Sequence, residues 1–153
     1  MKVEPQKEHR WLQKLVGEWT YESEGPTKCT GTEMVRSLDG VWIVGEGQGD
    51  MPGGGMATSI ITLGYDPQKK AFVGTWIGSM MANLWLYDGH LNAAETILTL
   101  DSEGPAMDGS NKIDKYQDII EVVSDDHRIL RAQVLGEDGQ WKLFMTTHYR
   151  RKR

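Results

Sequence analysis

The chain has 153 residues, with 6 Trp, 8 Met and 18 Gly but only 2 Phe, which is enough length for one domain that buries about two-thirds of its unfolded surface. Its single cysteine, Cys29, excludes an internal disulfide and any all-cysteine metal site. A formal charge of -5 argues against a protein whose work is on the phosphate backbone of nucleic acid.

The N-terminus, MKVEPQKEHR, has no apolar targeting core, and no later stretch reaches the roughly 18 apolar residues that span a bilayer. A cytoplasmic protein without membrane or nucleic-acid partners is expected. From Pro5 to Val16, the stripe Trp11, Leu12, Leu15 and Val16 predicts one amphipathic helix of about three turns, with His9 on its exposed side. Pro5 near the start and Gly17 after the end suit helix boundaries.

From Gly17 the period changes to two. Strands are predicted over 18–24, 30–38, 41–50, 57–65 and 70–80, with turns at Gly25-Pro26, Asp39-Gly40 and Asp66-Pro67 and a glycine-rich loop at 51–56. Further strands are predicted over 83–87, 94–102, 111–123, 128–135 and 140–151, with turns at Asp88-Gly89, Gly104-Pro105, Ser124 to His127 and Asp138-Gly139. About ten strands in short sequential hairpins favour a single all-β domain over 1–153, an antiparallel up-and-down β-barrel, because closure removes the edges that an open sheet exposes. The helix can lie across one end, and the basic ending YRRKR is read as the frayed end of the last strand.

Catalytic motifs are absent: there is no G-x-S-x-G elbow and no phosphate-binding G-x-x-x-x-G-K-[ST]. The run GEGQGDMPGGGM joins two strands, so it is read as a rim hairpin, with a mobile lid as the alternative. His9, His90, His127 and His148 have no metal-ligand spacing, and no metal or cofactor is expected. In the last strand, alternation puts Trp141, Leu143, Met145, Thr147 and Tyr149 on the more apolar, inner face and turns Phe144 and His148 outward. The pair Asp114 and Asp118 shares a strand face and is read as part of an exposed carboxylate row. What remains is an apolar interior, for which Trp42, Trp76, Trp85, Met80 and Tyr149 are the candidate lining residues, with Gly74 and Gly78 leaving room beside Trp76.

Five ordered segments carry a resemblance: LVGEW, ITLGYDPQKKAFVGTWIGSM, LWLYDG, LTLDSEGP and WKLFMTTHYRRK. Together they are similar to the bacterial "domain of unknown function 1579" family, grouped with the lipocalin-like calycins. The resemblance implies a calycin barrel in which Trp19 of Gly17-Glu18-Trp19 packs at the closed end beneath an arginine of the last strand, Arg150 or Arg151, with Arg151 the preferred partner. It also makes His148 comparable with the haem-binding histidine of nitrobindin-like calycins. The expected function is binding of a small apolar or amphipathic molecule inside the barrel of a monomer or homodimer. The rivals are a small-molecule enzyme on the same barrel, haem binding through His148, and an interaction module with a filled barrel.

Overall fold

Ten strands follow a short helix, and each strand pairs with its neighbours in sequence. The computed structural model describes residues 2–25, 28–51 and 53–153. The helix α1 (Lys7–Leu12) continues as a 3-10 turn (Gln13–Leu15) into β1 (Gly17–Ser23). Then come β2 (Thr30–Leu38), β3 (Trp42–Asp50), β4 (Met56–Asp66), β5 (Ala71–Gly78) and β6 (Trp85–Leu91). The chain closes with β7 (Ile97–Pro105), β8 (Ile113–Ser124), β9 (His127–Leu135) and β10 (Trp141–Arg151). All neighbours are antiparallel, and β1 pairs with both β2 and β10, so the sheet is a closed up-and-down barrel. Among the described residues no helix is long and apolar enough to cross a membrane.

Turn chemistry explains most of the boundaries. Asp39 and Gly40 have φ of 53° and 75°, the left-handed pair that a tight hairpin needs. Of the turn expected at Gly25-Pro26, Pro26 lies outside the described residues, as does Pro52 in the glycine-rich loop. Two expected turns are corrected. Asp88-Gly89 lies inside β6, and Gly104-Pro105 ends β7. Their glycines serve close approach instead: a Cβ on Gly89 would stand 2.7 Å from Leu100 Cδ2, and one on Gly104 would stand 2.3 Å from the Trp85 ring. The reversal between β6 and β7 is built by Asn92, whose Oδ1 accepts from the amides of Thr96 and Ile97 at 2.8 and 2.9 Å. His90 therefore belongs to a strand rather than following a turn.

The helix is shorter than the predicted three turns, but its stripe is placed as expected. Trp11, Leu12 and Leu15 are buried and join Trp19, Val35, Ile43, Leu63, Phe72 and Leu98 in the core at the closed end. Burial of each such side chain contributes about 1.5–3 kcal/mol. His9 corrects the expectation of an exposed side, being only 1% exposed. Its Nδ1 accepts from the Gln6 amide at 2.9 Å, which leaves Nε2 as the donor to the Tyr65 carbonyl 3.0 Å away. Both ring nitrogens are thus satisfied, and the imidazole pins the helix start to β4.

A bulge in β10 shifts its register against β9 between Leu143 and Met145. Side-chain parity reverses there. Met145, Thr147 and Tyr149 face the interior as predicted, whereas Trp141 and Leu143 lie off the lining and are exposed, and Phe144 joins the lining while remaining half-exposed. The expected positions of those three residues are corrected accordingly.

Candidate ligand-binding site

The inward rows of the ten strands do not meet in the middle. They enclose a cavity of about 920 Å³, within the usual range for small-molecule sites. Its closed end is built on Trp19, which is 2% exposed and donates from Nε1 to the Leu15 carbonyl at 3.0 Å. The guanidinium carbon of Arg151 lies 4.3 Å from the Trp19 ring centroid. The same guanidinium donates to the carbonyls of Val16 and Lys14 at 2.6 and 2.9 Å. Arg151 thereby ties the last strand to the end of the helix, and Gly17 with φ of 135° turns the chain into β1 directly beside it.

A second arginine was missed in the sequence. Arg128, at the start of β9, lies 4.7 Å from the Trp19 centroid and 3.9 Å from that of Tyr149, and it pairs with Glu33 of β2. The two charged side chains are 6% and 11% exposed. Both line the cavity floor. The signal was present in β9, where Arg128 heads the inward row that continues with Leu130 and Ala132.

The opposite wall carries a second polar pair. Tyr87 of β6 donates to Asp118 Oδ2 at 2.5 Å, so Asp118 corrects the reading of an exposed carboxylate row. It lies between Tyr116 and Ile120 on the inward face of β8. Burial raises its carboxyl above the ordinary value of 3.8, and the Tyr87 hydrogen bond offsets only part of that rise. Burial and the neighbouring Asp118 in turn push the Tyr87 phenol well up. A carboxyl raised by folding gives stability that is complete below its unfolded pKa and lost as pH rises through its folded one. Asp118→Asn does not ionise and still accepts from Tyr87. It is expected to lose less stability than the wild type as pH climbs from about 4 toward neutrality, and urea denaturation across that range is the check.

Nearer the mouth the lining becomes apolar. Trp76 and Trp85 are direct cross-strand partners, and both face the cavity. Met80 and Trp76 lean over Gly78, where a Cβ would meet them at 2.5 and 2.4 Å. Gly74 does not serve Trp76; the space beside it is taken by the Thr62 carbonyl and Leu63. Trp85 Nε1 approaches Met81 Sδ at 3.0 Å, and Met51, Met107, Met145 and Phe144 complete the greasy part of the lining. Of the five predicted lining residues, the fold brings Trp76, Trp85, Met80 and Tyr149 onto the cavity. Trp42 is corrected: it is 41% exposed on the outer face of β3 and covers Gly64, where a Cβ would lie 2.3 Å from its ring.

His148 turns outward. Its Nδ1 is 3.0 Å from His127 Nε2, and its Nε2 is 2.5 Å from Glu24 Oε2. Neither nitrogen is left to face the interior. Among the described residues no group of three or more His, Cys, Asp or Glu side chains is placed to hold a metal ion.

A family model described as "Protein of unknown function (DUF1579)" matches residues 4–151. No curated protein matches the chain. Among solved structures, a redesigned beta barrel, mFAP0, bound to DFHBI is 13% identical over 91% of this chain and 100% of its own, with a TM-score of 0.51. A de novo designed fluorescence-activating beta barrel is 13% identical over 92% of this chain and 95% of its own, also with a TM-score of 0.51. At that identity the likeness shows the barrel fold alone.

Proposed function

The chain belongs to that DUF1579 family, and since its description assigns no activity, we propose from the cavity itself that the protein binds a small amphipathic molecule inside the barrel. The observation that carries this is a cavity of about 920 Å³ with an apolar upper wall and a few fixed polar groups deep inside. Burial of a ligand's apolar surface contributes about 25 cal/mol per Å². The charged and phenolic groups near the floor supply orientation. A calycin grouping is compatible with this barrel, and the redesigned beta barrel bound to DFHBI supports small-molecule binding by a barrel of this fold.

Preorganisation favours this use. Glu33, Arg128, Asp118 and Tyr87 are already held by one another, so a ligand meets polar groups whose ordering cost has been met by folding. An enzyme on the same barrel draws support from Asp118, a buried carboxyl with a raised pKa that faces the cavity. Its hydrogen-bond partner among the described residues is Tyr87, and no histidine is among the described lining residues to complete an acid-base pair.

Native mass spectrometry of the protein purified from its own cells, beside a denatured sample, tests the binding reading. A co-purifying small molecule that is lost on denaturation is the expected result. A protein that is empty, and that takes up no member of a panel of apolar and amphipathic compounds, would end the proposal.

A further inference from the structure

The polar lining of the cavity is unbalanced in sign. It carries the carboxylates of Glu24, Glu33, Asp50 and Asp118 against one guanidinium, that of Arg128, with no lysine or histidine among the described lining residues. Glu33 and Arg128 cancel each other at the floor. Glu24 is occupied at the rim by His148, and Asp50 accepts from Thr30 at 3.3 Å. Asp118 is the carboxylate left deep inside without a countercharge. Its Oδ2 holds the Tyr87 hydroxyl, and Oδ1 has no hydrogen-bond partner among the described residues.

We infer that the ligand's polar end is a cationic amine that docks against Asp118, so that the site takes amphipathic amines and rejects amphipathic carboxylates. This rests on the binding function proposed above and names the class of molecule. An incoming carboxylate would meet Arg128 already paired with Glu33 and stacked on two aromatic rings, its Nε, a donor without a partner among the described residues, being buried away from the cavity's free space. It would also approach the uncompensated charge of Asp118, and like charges in a wall of low polarity repel strongly. An ammonium meets the reverse situation. It gives Asp118 the opposite charge that its burial lacks, favours the ionised carboxylate, and forms a charge-assisted hydrogen bond to Oδ1. Trp76 and Trp85, nearer the mouth, would pack against the apolar body of the same molecule.

The test is isothermal titration with three probes that share one apolar body: 1-naphthylmethylamine, 1-naphthylmethanol and 1-naphthoate, at pH 7 and low salt. The amine is expected to bind tightest and the carboxylate at least about tenfold more weakly. Asp118→Asn, checked for folding by circular dichroism, is expected to weaken the amine by about tenfold and to leave the alcohol within about twofold. Equal binding of amine and carboxylate to the wild type, or tighter binding of the carboxylate, overturns the inference while leaving the interior as a binding site. An amine affinity that is unchanged in Asp118→Asn overturns it as well. Failure of all three probes to bind overturns the inference and counts against interior binding itself.

Discussion

Arg128→Ala is expected to destabilise the protein by about 3–5 kcal/mol, because it strands the Glu33 carboxylate inside the barrel without its countercharge. The two side chains are nearly inaccessible, and the guanidinium also lies over Trp19 and Tyr149, so loss of the cation-π contacts adds to the effect. Electrostatics sets the size of this penalty, and a paired substitution separates it from lost packing. Arg128→Met combined with Glu33→Leu removes both charges while keeping most of the volume, and it is expected to recover most of the loss. Urea unfolding of the single and double variants supplies the comparison. A single variant that loses less than about 1 kcal/mol would mean that the pair is solvated in the folded protein.

The position of Arg128 also shows where the sequence stops speaking. The barrel was legible because nearly every connection is short and carries Gly, Asp or Pro, while the segments between alternate apolar and polar residues. Alternation in the last strand gives Tyr149 and Met145 on the lining, and Trp76 and Trp85 follow from their mid-strand places on adjacent strands of one hairpin. Phe144 was misplaced because a bulge leaves no composition signature; one extra residue reverses parity without changing the hydrophobic pattern upstream. Asp88-Gly89 was misread because a glycine beside an aspartate serves a turn and a crowded sheet position equally well, and only the neighbour, Leu100, decides which.

Charged residues were the harder class. Arg128, Glu33 and Asp118 each sit at an inward position of an alternating strand, so parity could have found them, but polar side chains in a strand default to solvent. What overrides that default is a partner far away in sequence: Arg128 meets Glu33 across 95 residues, and Asp118 meets Tyr87 across 31. His9 follows the same logic. On a helix wheel it falls on the polar side, yet the Tyr65 carbonyl on β4 gives it a buried place. Trp42 is the converse case. A large apolar residue in mid-barrel company lies outside because Gly64 on the neighbouring strand offers it a flat bed.

Filling the cavity is expected to have the largest effect on binding. Ser59 and Ser102 both line it, and the cross-strand partners of Ser59 on either side are Gly47 and Gly78. Gly47 carries no side chain on one flank of Ser59, while Trp76 and Met80 lean over Gly78 on the other, so a larger residue at Ser59 is directed toward the cavity and against those two side chains. Ser59→Phe together with Ser102→Phe would occupy the space where a ligand's apolar body would lie. Affinity for an interior ligand is expected to fall by at least tenfold, about 1.4 kcal/mol. The measurement that decides the matter is a fluorescence titration of the neutral dye Nile red into wild type and the double variant side by side, with circular dichroism to confirm that both are folded. Saturable one-to-one binding to the wild type that is lost in the variant is the predicted result. Equal binding to both would place the dye on the outer surface, and no binding to the wild type would leave the barrel without the interior function argued here.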